Sequence, residues 1–492
     1  MLHRITQAND HPLRPDGRYV LLWMIAQRRL RYNFALDHAI DRAVTAGVPL
    51  IVLEPLRVRY RWASDRLHRF VIEGMRENAE AARSFPITYY PYVEPRPGAG
   101  TPLLHQLARH AHTVVTDEYP CFFLPHLIAA VRRRIPARLE LVDGNGVLPL
   151  RLADRQYTVA HSYRRFMQKN VLAALEESPQ PDPLSSTALP CPVPVPPKIL
   201  KRWPAADFDC LLDGDGIGSI PIDHTVPAAD ETPGGPTRAA ERLDDFLSRK
   251  LHRYPEDRNH PDRDGSSGLS PYLHFGHISP HEIVQRLLQR EGWTPKQTSK
   301  PNGRNHGFFN VSPPTEAILD QVLTWREIGF HFAFRHPDSY DTLDSLPDWA
   351  KRTLQETRSD PRPFTYTLEQ FERAETHDPL WNAAQREIVQ TGRMHNYMRM
   401  LWGKKILHWS ATPEQALETM IHLNNKYGLD GRDPNSYCGI LWVLGRADRA
   451  WGPKRPVFGS VRYMTSDSTR RKWKLDRYLR RFGAQQHLPL GD

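Results

Sequence analysis

Up to Val142 the chain repeats one pattern: a short apolar run, then a longer segment with helical spacing. The runs are 19–25, 48–53, 87–90, 112–116 and 139–142, each of strand length. They are apolar almost throughout rather than at alternate positions, as strands covered on both faces are. Between the first two, Phe34, Leu36, Ile40 and Val44 alternate with Asp37, Asp41 and Arg42 over 33–46, and Gly47 stops the pattern. The segments 66–82, 101–110 and 123–134 also read as helices. Strands alternating with helices predict an α/β domain, a doubly wound parallel sheet with helices on both faces. Such a sheet takes ligands beyond the carboxyl ends of its strands. No Gly-x-Gly-x-x-Gly follows the first run, which argues against a dinucleotide dehydrogenase.

The pattern ends at 179–236, a stretch rich in Pro, Gly, Asp and Ser, where Pro192, Pro194, Pro196 and Pro197 lie close together. That composition favours extended, exposed chain. It predicts a connection over 176–236, ordered only in part, between a sheet domain (1–175) and a second domain (237–492). Gly214, Gly216 and Gly218 read as a turn, since the later bidentate Glu of a calcium loop is missing. From Arg238 on, the spacing is helical over 238–250, 280–290, 315–334, 368–374, 381–409 and 413–427, with hardly a strand signal. The expected fold is therefore α/β followed by all-α.

Charge narrows the function. A formal net charge of +10 and a pI near 9.4 suit an anionic partner, nucleic acid first. Arg470, Arg471, Lys472, Lys474 and Arg477 crowd one region, with Tyr463 and Trp473 interleaved as aromatic platforms for bases would be. Cys121, Cys191, Cys210 and Cys438 lie far apart with no Cys-x-x-Cys pair, so neither a metal site nor a disulfide framework is expected. Asp10, Arg14, Asp16 and Arg18 precede the first apolar run, unlike a signal peptide, and no apolar stretch is long enough to span a membrane. The expectation is a cytoplasmic monomer with no membrane partner.

Candidate site residues concentrate in 377–451. Asn396, Arg399 and Met400 share a helix face, and Trp402 and Trp409 stand two turns apart, roughly 10 Å along the axis. Trp residues at that spacing are usually packing. Arg399 is harder to bury without a partner, and Asp430 is a candidate. Asn424 and Asn425 beside an apolar helix pose the same question. Upstream, the small polar loop 265–270 precedes a helix, where backbone N–H groups either cap it or hold a phosphate. Gln321 and Trp325 lie four apart on one helix face.

Together these motifs resemble the photolyase/cryptochrome flavoproteins, and among them the class II cyclobutane pyrimidine dimer photolyases. The resemblance runs through 265–279, 320–327, 377–442, 448–451 and 459–464, and more thinly through 22–24, 115–117 and 157–161. It implies an antenna domain, a helical domain holding FAD, ultraviolet-damaged DNA containing pyrimidine dimers as substrate, and a dimer extruded from the base stack. It suggests weakly an antenna chromophore such as a deazaflavin. By resemblance, Tyr254, Ser266, Ser267, Gly268, Leu269 and Ser270 contact the FAD phosphates and ribose. Arg399 and Asp430 form a salt bridge beside the flavin ring, and Asn424 faces its N5. Trp402 and Trp381 are the proximal and distal members of the photoreduction path, with Trp409 a branch. Trp325 and Trp442 are walls of the dimer pocket, Asn396 and Met400 lie near the lesion, and Arg449 and Arg462 near the DNA. Gln321 stands where the family usually has a Glu that bonds the dimer, and a Gln cannot lend a proton. The (6-4) photolyases carry Gln there, but with a His pair in place of Asn396 and Met400, so cyclobutane dimers are the expected substrate. A cryptochrome-like photoreceptor and a photolyase of altered lesion specificity are the alternatives. His331 lies in a segment that departs from the family pattern and reads as a packed or hydrogen-bonded residue.

Overall fold

The computed structural model describes residues 3–483. Its sheet consists of β1 (Ile5–Gln7), β2 (Tyr19–Trp23), β3 (Leu50–Leu56), β4 (Thr88–Val93), β5 (Ala111–Asp117) and β6 (Leu139–Val142). The spatial order is β1-β6-β5-β2-β3-β4, parallel except for β1, which runs antiparallel to β6 at one edge. Helices α1 (Phe34–Ala46), α2 (Asp65–Ala82), α3 (Gly100–Ala108) and α4 (Leu124–Arg132) alternate with the strands. The expected strands are all present. β1 escaped the sequence reading because three partly exposed residues carry no periodicity. Asn33 caps α1, accepting from the N–H groups of Ala35 and Leu36, and Gly47 ends it at φ 65°. The winding reverses between β2 and β5. There the Asp117 carboxylate accepts from Ile25 and Ala26 at 2.8 Å and from Gln27 at 3.1 Å, pinning the chain as it leaves β2.

The Pro-rich connection departs from expectation. Val195 and Trp203 are buried in the sheet domain's core, and Val226 joins the helical core. The Trp203 indole donates to Ala99 O at 2.9 Å, and Thr88 Oγ1 to Val193 O at 2.6 Å. A few apolar anchors between prolines suffice to order the segment, and averaged composition hides them. The helix α5 (Ala160–Glu176) falls all but its last residue within 1–175, yet its Tyr163, Met167 and Val171 pack into the helical core.

In the second half, 381–409 is two helices, Pro379–Thr391 and Asn396–Trp409, rather than one. Gly392 adopts φ 70°, a left-handed conformation that stops the first. The segment 315–334 is also divided, into Pro313–Asp320, a wide π-type turn at Gln321–Arg326, and Glu327–Arg335. Such turns often mark functional positions. No helix among the described residues is long and apolar enough to cross a membrane.

Two buried side chains bolt the domains together. Arg66 of α2 donates to Pro227 O (3.0 Å), Ile388 O (3.1 Å), Tyr427 O (2.8 Å) and Val389 O (2.6 Å). Three of those carbonyls close the Pro379–Thr391 and Pro413–Tyr427 helices, whose carboxyl ends attract a cation. Glu327 accepts from Val147 N at 2.6 Å and from the Tyr163 hydroxyl at 3.2 Å, while neighbouring Arg326 donates to Asn145 O at 2.6 Å.

Arg66→Met should strand these carbonyls and cost about 3 kcal/mol or more, read as a lowered Tm. Arg66→Lys should recover little, because one ammonium cannot serve the whole fan. Burial raises the Glu327 carboxyl from the ordinary 4.5 to about 7. Between those values the folded chain holds a proton that the unfolded chain lacks. That contribution is full below the ordinary carboxylate range and is lost as pH rises through about 7. Thermal unfolding from about pH 5 to pH 8 should therefore show a flatter decline for Glu327→Gln than for the wild type.

Candidate functional site

The loop 265–270 leads into the short Ser270–His274 helix. Gly268 sits at φ +70°, and a Cβ there would lie 3.3 Å from both Arg242 Cδ and Arg393 Nη2. Arg242 comes from the Pro236–Asp245 helix and Arg393 from the residue after the Gly392 stop. Arg393 Nη2 donates to Ser266 Oγ at 3.1 Å, and Lys250 Nζ contacts Asp264 at 2.5 Å. Burial resists charge on Asp264, but Lys250, Arg393 and Arg242 together hold its carboxyl below the ordinary range. A glycine turn, serine hydroxyls and two guanidinium groups fit a diphosphate such as that of FAD. The sequence reading named the loop and missed both arginines, since neither is near it in the chain. Tyr254 is buried, edge-on to Phe246 at 5.3 Å, with Arg258 over its ring at 5.8 Å.

Asp430 ties this loop to the helices. Its Oδ2 accepts from the Ser270 hydroxyl at 2.9 Å, and its Oδ1 from Arg399 Nη2 at 3.0 Å. Burial opposes ionisation here too, yet Arg399, the Ser270 hydroxyl and the nearby Arg393 hold the carboxyl below the ordinary range. Asn424 is 1% exposed and donates to Ser436 Oγ at 2.7 Å and to Asn425 Oδ1 at 3.2 Å. Both amide hydrogens are thereby committed, and the carbonyl oxygen is the group that Asn424 offers. Asn425 in turn donates to the Tyr437 hydroxyl at 3.1 Å.

Trp381, Trp402 and Trp409 are 0%, 1% and 1% exposed. The Trp381 indole donates to Trp402 O at 3.0 Å, and the Trp402 indole to Gln385 Oε1 at 2.9 Å. Trp381 and Trp409 meet at 6.1 Å between ring centroids, and Tyr366 lies 5.6 Å beyond Trp409. The aromatic contacts thus continue outward to Tyr366, which the sequence reading did not single out.

Trp325 and Trp442 do not face each other across a gap. Their rings stack at 4.7 Å and 15°, forming one half-buried aromatic platform rather than two opposed walls. The Trp325 indole is fixed by Asp320 at 3.1 Å, which Arg164 holds in turn at 2.6 Å. Gln321, half-buried, begins the π-type turn that carries Trp325. Asn396 is exposed and Met400 half-buried, on the same helix as Arg399. Arg449 and Arg462, both exposed, lie over one ring, that of Trp451, at 4.9 and 5.1 Å. His331 is buried against Tyr163 at 5.4 Å with neither ring nitrogen hydrogen-bonded, and burial lowers it to about 4. It is a packed residue rather than a hydrogen-bonded one.

A cavity opens where the sheet reverses its winding, lined by Trp23, Leu53, Leu104, Tyr119, Phe123 and, from the helical domain, Phe275. Among the described residues no group of three or more His, Cys, Asp or Glu is placed to hold a metal.

No protein-family model matches the chain. It is 32% identical over 487 residues to the deoxyribodipyrimidine photo-lyase of Methanothermobacter thermautotrophicus, covering 98% of each chain. It is 34% identical over 477 residues to that of Oryza sativa subsp. japonica, covering 94% of this chain and 87% of the relative. In fold it matches a class III photolyase from Agrobacterium tumefaciens, with TM-score 0.63 and 18% identity over 95% of this chain and 86% of that one. It also matches a Synechocystis cryptochrome, with TM-score 0.64 and 17% identity over 94% and 88%. The photolyase/cryptochrome architecture and the near full-length identity lead to one assignment: the chain belongs to the deoxyribodipyrimidine photo-lyase family.

Proposed function

We propose that this chain repairs cyclobutane pyrimidine dimers in ultraviolet-damaged DNA, using light and FAD in the manner of class II photolyases. The observation that carries the reading is a shared helix. Pro434–Val443 holds Ser436, which fixes Asn424 in the polar surroundings assigned to the flavin, and Trp442, half of the aromatic platform. Groups suited to a flavin and to unstacked bases are thereby set in one rigid frame.

Bound FAD supplies the photoexcited electron that opens the cyclobutane ring. The chain's own residues do the rest. Arg242, Arg393 and the 266–270 loop bind the diphosphate. With FAD bound, the Arg399–Asp430 pair and the Asn424 carbonyl would supply the polar surroundings of the flavin ring. Trp402 and Trp381 pass an electron inward when the flavin must be reduced. The Trp325–Trp442 platform stacks with the extruded bases, and Gln321 donates to a base carbonyl but lends no proton. Arg449 and Arg462 meet the DNA backbone. The cavity at the carboxyl ends of the strands would hold an antenna chromophore such as a deazaflavin.

The direct test illuminates the FAD-loaded, reduced protein with oligonucleotides bearing either a cyclobutane dimer or a (6-4) product. Light-dependent loss of the first alone is expected; repair of the second alone overturns the specificity, and repair of neither overturns the proposal. Trp442→Ala should weaken binding of dimer-containing DNA about tenfold or more in a gel-shift titration. Gln321→Glu should repair at least as well as the wild type, and a complete loss of activity would remove Gln321 from the lesion site. Trp402→Phe should abolish photoreduction while leaving repair by chemically reduced protein in place.

A further inference from the structure

We propose that His377 is the proton acceptor for Tyr366 at the outer end of the aromatic path. The inference rests on the reading of Trp402 and Trp381 as an electron path. Trp409, buried, touches Trp381 on one side and both Tyr366 and His377 on the other, at 5.6 and 4.9 Å between ring centroids. Tyr366 N donates to Trp409 O at 3.3 Å, which holds the two rings together. His377 is exposed and Tyr366 half-buried, so the path reaches solvent here.

The hydrogen bonds around the phenol set its direction. Tyr366 Oη accepts the backbone N–H of His377 at 3.1 Å and lies 2.5 Å from His377 Nδ1. With one lone pair taken by that N–H, the phenol's own hydrogen is free to point along the shorter contact. In the arrangement proposed here Tyr366 donates, Nδ1 accepts, and the imidazole carries its hydrogen on Nε2. Phe364 stacks on the imidazole at 3.9 Å and 30°, fixing its plane. The Lys405 ammonium lies 5.0 Å over the Trp409 indole, with Asp378 3.5 Å from it. A cation there disfavours positive charge resting on Trp409.

Removing an electron from a phenol makes its O–H strongly acidic, so the oxidation goes forward only if the proton has a base within reach. The oxidant is the photoexcited, oxidised flavin, acting through Trp402, Trp381 and Trp409. In the step at the surface, one electron passes from Tyr366 to the Trp409 radical cation and restores neutral Trp409. The Tyr366 O–H bond breaks and an N–H bond forms at His377 Nδ1. The products are a neutral tyrosyl radical and an imidazolium, so charge and atoms balance. A neutral radical away from the flavin returns its electron slowly, which favours net photoreduction.

Laser-flash absorption on the protein loaded with oxidised FAD tests this through the narrow band of the tyrosyl radical. In the wild type the band should form, and form more slowly in heavy water. Tyr366→Phe should remove it. His377→Gln keeps a hydrogen-bond acceptor but no base, and should reduce the yield about tenfold or more, as loss of a positioned base does. Because His377 is exposed, flavin content and circular dichroism should be unchanged in that variant. A wild-type yield and isotope effect in His377→Gln, or no tyrosyl band in the wild type, overturns the proposal. If Trp402→Phe leaves the band intact, the electron-path reading itself fails instead.

Discussion

Asp430 is the point where separate parts of the chain become one site. Asp430 is half-buried, and a carboxylate drawn partly out of water is costly unless its charge and lone pairs are met. Here Arg399 comes from one helix, Ser270 from the loop that precedes another, and Asp430 from the turn after Tyr427. That turn is itself held by Arg432, which adopts φ 63° and donates to Gly428 O at 3.1 Å and Leu429 O at 3.2 Å. Asn425 Oδ1 accepts from Arg432 N at 2.8 Å and closes the turn back onto its helix. Losing Arg432 or Asn425 leaves a buried polar group without a partner, and losing Arg399 leaves the half-buried Asp430 carboxylate without its cation.

The same few helices then serve several purposes. Asn396–Trp409 carries Arg399 toward the polar ring and Trp402 and Trp409 into the aromatic path. Its buried Lys404 donates to Val443 O, joining it to the helix that carries Trp442. The sheet domain grips this assembly from behind, since Arg66 binds the carboxyl ends of the helices that bear Trp381 and Asn424. Charge, packing and the proposed electron path thus depend on one arrangement of helices.

Much of this was legible in the chain. Apolar runs of strand length placed β2 to β6, and the Asn33 and Gly47 signals bounded α1, because local periodicity and capping are local properties. The Arg399–Asp430 pairing was accessible because a buried arginine demands an anion and few were near. What sequence could not supply was long-range. Arg242 comes to the 265–270 loop from another helix and Arg393 from the link that follows Gly392, and Trp325 stacks on Trp442 rather than opposing it. The break at Gly392 was masked by helical spacing on both sides, and the order of the Pro-rich connection by its average composition. Tyr366 carries no signature in the chain because two aromatics, Phe364 and Tyr366, in a polar stretch show no periodicity until Trp409 is seen beside them.

The measurement that bears most directly on the central claim, that the Asp430 junction builds the flavin site, is FAD binding to apo-protein followed by fluorescence quenching. Asp430→Ala should lose tight binding while keeping the wild-type circular dichroism spectrum, and Ser270→Ala should weaken binding by a smaller factor. Wild-type affinity in Asp430→Ala would contradict the account and place the flavin elsewhere in the fold.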